Sequence, residues 1–169
     1  LELARFAERS GWRGFWYADH LMEHTADDSA GTGDIHECWS ILAAVAASVG
    51  RIRLTSMVTP TTIHHPVVIA KRVTTVDHVS GGRVTLGLGA GWQVNEHRAY
   101  GFELPEPKVR VDRFAEAIDI VSRLLSGERP TVEGSHFTIT DAPFAPLPVQ
   151  APLPLLVGTA SPRMLRLTA

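Results

Sequence analysis

Three glycines spaced two residues apart follow an apolar run in the segment GGRVTLGLGAGW, residues 81–92. They are Gly87, Gly89 and Gly91, and the run before them is typical of a buried strand. Loops of this composition bring backbone amides close to a phosphate, because glycine has no side chain in the way. The segment is therefore a candidate phosphate-binding loop.

The dinucleotide fingerprint G-x-G-x-x-G does not fit this segment. From Gly87 the pattern requires a glycine where Trp92 stands, and from Gly89 it requires one where Val94 stands. The segment also comes late in the chain, with no acidic residue placed for a ribose. A Rossmann site is disfavoured. The structural alternative is that Gly87 admits a close helix while Gly89 and Gly91 shape a turn.

A second glycine-bearing segment, LLVGTASP at 155–162, favours the phosphate hypothesis. It runs into a helix, whose first amides attract anions, and Thr159 and Ser161 add hydroxyls there. Neighbouring parallel strands deliver their carboxyl ends to one rim of a sheet. The two loops together therefore predict one ligand crevice.

The histidines suggest a competing chemistry, since HLMEH at 20–24 matches the H-x-x-E-H pattern of a zinc hydrolase. That chemistry needs both imidazoles on one helical face with the glutamate as base. Here the motif follows an apolar strand and enters a loop-like segment, so this is the weaker alternative and no metal site is predicted. His64 and His65 precede Pro66 and are interpreted as a helix start and a pocket wall.

The elements that must position these residues alternate along the chain. Helical patterns predict helices before Gly11, over 37–50, 66–80 and 108–126, and from 161; strands are predicted at 14–19, 51–60, 83–89 and from 155. Residues 66–80 are rich in β-branched types but are assigned to helix, because Pro66 suits its first position and glycines close it. Residues 131–140 predict a small hairpin, and the aromatic residues at 12 and 15–17 are predicted to be mostly core.

This strict alternation predicts a parallel α/β sheet, either doubly wound or part of a (β/α)8 barrel. A complete barrel needs about 250 residues. The 169-residue chain would hold only half of one, as a single domain over residues 1–169.

Composition excludes several classes of partner. The formal net charge is −2, so no basic field for nucleic acid is present, and the most apolar window, 41–50, is too short to span a bilayer. The single cysteine, Cys38, fits a reducing compartment. We therefore expect a cytoplasmic protein that acts on a small molecule, with no nucleic acid and no membrane partner.

Several segments together resemble the bacterial luciferase-like monooxygenase family, and its deazaflavin (coenzyme F420)-dependent oxidoreductase branch in particular. In chain order these are WYADHL (16–21), RIRLTSMVTP (51–60) with HHP (64–66), DHVSGGRVTLGLGAGW (77–92), NEHRAYG (95–101), VRVDRFAEAIDIV (109–121) and PLPLLVGTASPRMLRL (152–167). The family's fold is a (β/α)8 TIM barrel. The resemblance implies that this chain holds the first helix, strands two to five and the start of the fifth helix.

The resemblance also implies roles for individual residues. His20 would be catalytic, orienting or protonating a group near the reactive ring carbon. The implied cofactor-binding residues are Asp19, Met57, Val58, Thr59, Gly89, Ala90, Gly91, Asn95, Gly158, Thr159 and Ala160. Met57 and Val58 would be joined by a non-proline cis peptide under the ring, and the loop at Gly158 would take the phosphate. Trp92 stands where the sugar-phosphate dehydrogenase members carry a glutamate, so that substrate is not assigned.

The implied function is hydride transfer between reduced coenzyme F420 and an organic substrate. One alternative is an FMN-dependent monooxygenase of the same family. Another is a non-catalytic truncated half-barrel that binds a flavin-like ligand, or no ligand, and pairs its open sheet edges with a second copy. A homodimer is expected.

Overall fold

Helices and strands alternate throughout the residues that the computed structural model describes, 1–159 and 161–168. The helices are α1 Glu2–Arg9, α2 Cys38–Ser48, α3 Pro66–Ser80, α4 Val94–Tyr100, α5 Pro107–Leu125 and α6 Pro162–Thr168. The strands are β1 Gly14–Tyr17, β2 Arg53–Ser56, β3 Thr59–Pro60, β4 Val84–Gly89, β5 Val132–Glu133, β6 Thr138–Ile139 and β7 Leu155–Val157. Within these residues, no helix combines the length and the apolar character that crossing a bilayer requires.

Five of the strands form one parallel sheet. β1 pairs with β2, while β4 pairs with β2, β3 and β7, always in parallel. β2 and β3 are two pieces of the strand predicted at 51–60, interrupted at Met57 and Val58. The sheet therefore contains the four successive strands expected for part of a barrel, and β5 and β6 form the predicted antiparallel hairpin.

α3 confirms the helix predicted for a β-branched segment, at the same bounds. Ile69, Val73 and Val76 are buried in one core cluster with Leu86 and Leu88 of β4. Burying such a side chain stabilises the fold by about 1.5–3 kcal/mol. Packing against the sheet therefore outweighs the weak helix propensity of these residues.

The end of α2 is tied to the sheet by the guanidinium of Arg83. It donates from Nη2 to the carbonyls of Ala46 and Val49, from Nη1 to Ile52, and from Nε to Ser80. The distances are 2.6 to 2.9 Å. One side chain thus satisfies carbonyls that the helix end leaves without partners.

Two features differ from the sequence prediction. α4 was not predicted, because its seven residues are mostly polar and give no apolar stripe. Trp12 and Trp16 are 67% and 57% exposed rather than core. Phe15 and Tyr17 pack against the core, so Trp16 between them projects from the opposite face of β1.

The backbones of β2 and β4 approach closely at Gly87. A Cβ at this position would overlap the carbonyl oxygen of Ser56. The Ser56 hydroxyl donates to Gly87 O at 3.0 Å, and Gly87 N donates back to the same hydroxyl at 3.1 Å. The structural interpretation of Gly87 as room for a helix is therefore wrong, because the close neighbour is a strand.

Replacing Gly87 with alanine should destabilise the chain. The added methyl group has to push β2 away from β4, and overpacking of this kind costs about 1–3 kcal/mol. Urea unfolding followed by circular dichroism would measure the loss. Gly50→Ala is the control, because a Cβ there meets no atom within 4 Å. Equal stability of the two variants would contradict the predicted close packing.

The only cysteine should be unreactive in the folded chain. Burial raises the pKa of the Cys38 thiol, the carboxylates of Asp19 and Glu37 raise it further, and the side chain is fully buried. Little thiolate therefore forms at neutral pH. We expect a chromogenic disulfide reagent to leave native Cys38 unlabelled and to label it stoichiometrically in guanidinium chloride. Rapid labelling of the native chain would show that α2 opens locally.

Candidate functional site

A cleft of about 410 Å³ lies at the carboxyl ends of the parallel strands. It brings together both glycine loops, the break between β2 and β3, and the loop after β1. Eight of the predicted site residues line it: His20, Met57, Val58, Gly89, Ala90, Gly91, Gly158 and Thr159. The predicted residue Ala160 lies outside the described residues.

The floor of the cleft is the backbone between β2 and β3. The peptide bond between Met57 and Val58 is cis, as the resemblance implied. The side chain of Val58 lies between the two loops. A Cβ on Gly89 would come within 2.7 Å of Val58 Cγ2, and one on Gly158 within 2.8 Å. Both glycines are therefore required for the loops to close on Val58.

A buried hydrogen-bond chain supports the glycine loop that follows β4, at Gly89–Gly91. His97, 1% exposed, has Nδ1 2.6 Å from Gln93 O and Nε2 2.8 Å from Thr62 Oγ1. Since a carbonyl only accepts, Nδ1 carries the proton and the Thr62 hydroxyl donates to Nε2. Thr62 packs against Gly91, which has a φ of +81°. The start of α4 thus holds the loop in a conformation that suits glycine.

His20 makes a close contact with a carboxylate that the sequence analysis did not identify. Glu96 on α4 accepts from His20 Nδ1 at 2.9 Å and from the backbone amide of Leu21 at 2.9 Å. Glu96 is 1% exposed and also lines the cleft. The one sequence signal was a glutamate in a polar run directly after the glycine loop.

Aromatic side chains form a wall beside His20. The Trp92 ring lies edge-on to His20, with centroids 5.6 Å apart, and to His24, with centroids 4.9 Å apart. Trp92 remains 54% exposed and lines the cleft. A flat apolar surface therefore stands next to the imidazole, where it can contact a ligand.

A cation lies at the other side of the cleft. Arg110, in the first turn of α5, donates from Nη1 to Gly91 O at 2.6 Å and lines the cleft with Thr159 and Ser161. Its Nε is buried and makes no hydrogen bond to any described residue. Sequence analysis missed Arg110 because one arginine on an amphipathic helix resembles any solvated charge.

The hydroxyl oxygens of Thr159 and Ser161, in the segment after β7, accept hydrogen bonds from nearby backbone amides. Thr159 Oγ1 accepts from Ser161 N at 3.0 Å, and Ser161 Oγ accepts from Met164 N at 3.3 Å. These contacts fix the turn that leads into α6. Both hydroxyls accept in these contacts, so their O–H groups stay available to donate to an anion beside Arg110.

Asp19, predicted to bind a cofactor, does not line the cleft. Its carboxylate is 1% exposed, and His64 Nε2 lies 3.3 Å from Oδ1. Arg72 Nη1 lies 2.9 Å from His64 Nδ1. Because a guanidinium only donates, Nδ1 of His64 accepts and Nε2 donates to Asp19. The other oxygen of Asp19, Oδ2, is buried and makes no hydrogen bond to a described residue. His64 does not line the cleft, so it is not the predicted pocket wall.

Thr59 and Asn95 also lie outside the lining. Thr59 is fully buried and accepts from Trp39 Nε1 at 3.1 Å. Asn95 Nδ2 donates to Glu23 O at 2.8 Å and to Ser29 O at 2.9 Å. The structure therefore uses Asn95 to hold the loop after β1 against α4, and Thr59 to join β3 to α2.

The zinc-hydrolase alternative lacks its required geometry. Residues 20–24 form no helix. His20 contacts Glu96, Glu23 accepts from Gly33 N at 2.9 Å, and His24 packs on Trp92. Across residues 1–159 and 161–168, no three His, Cys, Asp or Glu side chains are grouped as metal ligands.

Named relatives of this chain include dehydrogenases and monooxygenases. An F420-dependent glucose-6-phosphate dehydrogenase from Beutenbergia cavernae is 37% identical over 164 residues, covering 95% of this chain and 46% of that protein. The 4-hydroxyprotoasukamycin monooxygenase of Streptomyces nodosus subsp. asukaensis is 35% identical, covering 99% and 43%. The chain thus spans under half the length of these relatives.

A solved structure supports the same relationship. An F420-dependent secondary alcohol dehydrogenase, in complex with an F420-acetone adduct, matches with a TM-score of 0.79 and 26% identity. The match covers 92% of this chain and 46% of that one. The predicted partial luciferase-like barrel is therefore confirmed. The model of the luciferase-like monooxygenase family matches residues 1–169, and the chain belongs to that family.

Proposed function

We propose that this chain forms the cofactor-binding part of a deazaflavin-dependent oxidoreductase, which exchanges hydride between coenzyme F420 and a small organic molecule. One observation carries the proposal: both glycine loops, the Met57–Val58 floor and His20 line a single cleft. Relatives named as F420-dependent support this choice of cofactor.

The residues of the cleft fit such a cofactor. Met57, Val58 and Pro60 offer an apolar floor to a planar ring. Arg110 and the glycine-rich turn at Gly91 offer charge and close backbone approach to a phosphate. When bound, a deazaflavin supplies a carbon centre that accepts or gives up hydride.

The chain's own contribution is orientation and proton handling. His20 is 20% exposed at its side chain and lines the cleft, so its Nε2 can accept a proton from a substrate oxygen and return it in the reverse direction. The Trp92 ring packs edge-on against the imidazole and adds an apolar surface beside it. For hydride transfer, the residues of the cleft would have to hold cofactor and substrate in contact with each other.

The monooxygenase relative favours a second candidate, an FMN-dependent oxygenase built on the same cleft. FMN and F420 both present a ring and a phosphate, so the groups described above suit either. The non-catalytic half-barrel and the homodimer stay predictions.

Arg110→Met should weaken cofactor binding. A charge-assisted hydrogen bond contributes about 1.5–3 kcal/mol, so we expect affinity for F420 to fall about tenfold or more. Isothermal titration calorimetry of the 169-residue chain with oxidised F420 and with FMN would measure this. Arg5→Met, on the exposed face of α1, is the matched control and should bind like the parent chain.

The same titrations distinguish the alternatives. Tight binding of FMN with no binding of F420 would replace the proposal by the oxygenase candidate. No binding of either cofactor would support the non-catalytic half-barrel. If Arg110→Met and Arg5→Met bound the cofactor with equal affinity, the phosphate site would not involve α5.

His20→Gln should lower turnover and leave binding nearly unchanged. Loss of a general acid or base typically costs 10²–10⁴-fold in rate, and we expect a fall of about 100-fold or more. Reduction of F420 by glucose-6-phosphate and by a series of secondary alcohols, followed by absorbance, would test this. His36→Gln, at an exposed loop position, should retain the parent rate. Unchanged turnover in His20→Gln would remove this histidine from the mechanism.

A further inference from the structure

The carboxylate of Glu96 is fixed on both of its oxygens. Oε1 lies 2.9 Å from His20 Nδ1, and Oε2 accepts from Leu21 N at 2.9 Å. The backbone amide of Glu96 is itself held by Asn95 Oδ1 at 2.9 Å. This carboxylate therefore cannot rotate away from the imidazole without breaking its hydrogen bond to Leu21 N as well as the one to His20.

This contact determines which nitrogen of His20 carries the proton. A carboxylate has no proton to give, so Nδ1 must be the donor when the imidazole is neutral. The second nitrogen, Nε2, then has its lone pair free, and no described residue hydrogen-bonds to it. His20 lines the cleft, so Nε2 is the ring nitrogen that a ligand there can reach.

The contact also fixes the direction of the ring. Leu21 follows His20 directly in the chain. The Glu96 carboxylate therefore binds the side chain of one residue and the backbone amide of the next. The ring edge of His20 is further limited by Trp92. A flip of the imidazole would leave Glu96 Oε1 without its donor.

We propose that Glu96 is the positioning residue of His20: it holds the Nδ1–H tautomer and presents Nε2 to the cleft as a proton acceptor. The inference rests on the proposed function for its role in turnover, whereas the tautomer itself is a property of the chain alone. Glu96 acts through His20 and does not need to touch the substrate.

The first test is the tautomer of His20 in the parent chain without cofactor. Long-range ¹H–¹⁵N NMR distinguishes Nδ1–H from Nε2–H, at a pH high enough for the ring to be neutral. The chain has eight histidines, and the His20 signals are those missing from His20→Gln. We expect Nδ1–H in the parent chain. A parent chain with Nε2–H would overturn the proposal without any need for a Glu96 variant.

The second test is Glu96→Gln, which keeps the shape of the side chain but adds an amide donor. If its oxygen continues to accept from Leu21 N, its NH₂ group faces Nδ1, which must then accept. We expect the Nε2–H tautomer to appear and kcat to fall about 10–100-fold, the range seen when a partner behind a functional histidine is removed. Cofactor affinity should change less than twofold.

Glu103→Gln is the control, since it removes the same charge from an exposed position just beyond α4. It should keep the Nδ1–H tautomer and the parent rate. Circular dichroism checks that both variants fold. A folded Glu96→Gln with an unchanged tautomer and rate would overturn the proposal. Absence of hydride transfer in the parent chain, with Nδ1–H retained, would overturn the proposed function and leave the assignment of Glu96 as the residue that sets the tautomer.

Discussion

The geometry of the cleft depends on the contact between the backbones of β2–β3 and β4, where no side chain separates the two strands. Gly87 lies against the Ser56 carbonyl, and Gly89 and Gly158 close on the side chain of Val58. The missing Cβ of Gly87 lets β4 approach β2, and those of Gly89 and Gly158 let the two loops approach Val58. Because packed interiors respond to even one added methylene, this contact sets the position of both loops. The apolar floor and the positions of the glycine turns follow from it.

Buried polar side chains form a second layer of contacts. These hold in place the loops that the backbone contact positions. His97 holds the first loop through Thr62, Glu96 holds His20, and Asn95 holds the loop after β1. All three belong to α4, a helix of seven residues. Burying so many polar groups is unfavourable unless each is paired, and nearly all of them are. Since a loosely held site performs chemistry poorly, α4 accounts for much of the site's preorganisation.

The sequence predicted the parts of the fold that local physics determines. Periodicity and the Pro66 and Gly81 boundaries located α3, and apolar runs followed by glycine located both loops. The sequence could not reveal that Glu96 lies beside His20, because that contact joins residues 76 positions apart and follows from the sheet topology. Asp19 and Thr59 were identified by resemblance, yet Asp19 Oδ1 contacts His64 and Thr59 Oγ1 contacts Trp39, while Asp19 Oδ2 is buried with no hydrogen bond to a described residue. The exposure of Trp16 likewise depends on which face of β1 packs against the core. The alternation of side chains along a strand does not determine that face.

Under the proposed function, different layers of the fold carry the two chemical tasks of the cleft, anion binding and proton transfer. The anion-facing groups are Arg110 and the turns at Gly91 and Gly158, which belong to the ends of β4 and β7 and to α5. The proton-handling group is His20, which depends on α4 and the loop after β1. A ring bound between them would be fixed at its phosphate end and approached from the His20 side. If the proposed function holds, changes in the loop after β1 would alter the substrate while cofactor binding is kept. This separation is consistent with relatives of one fold that are named as dehydrogenases and as monooxygenases.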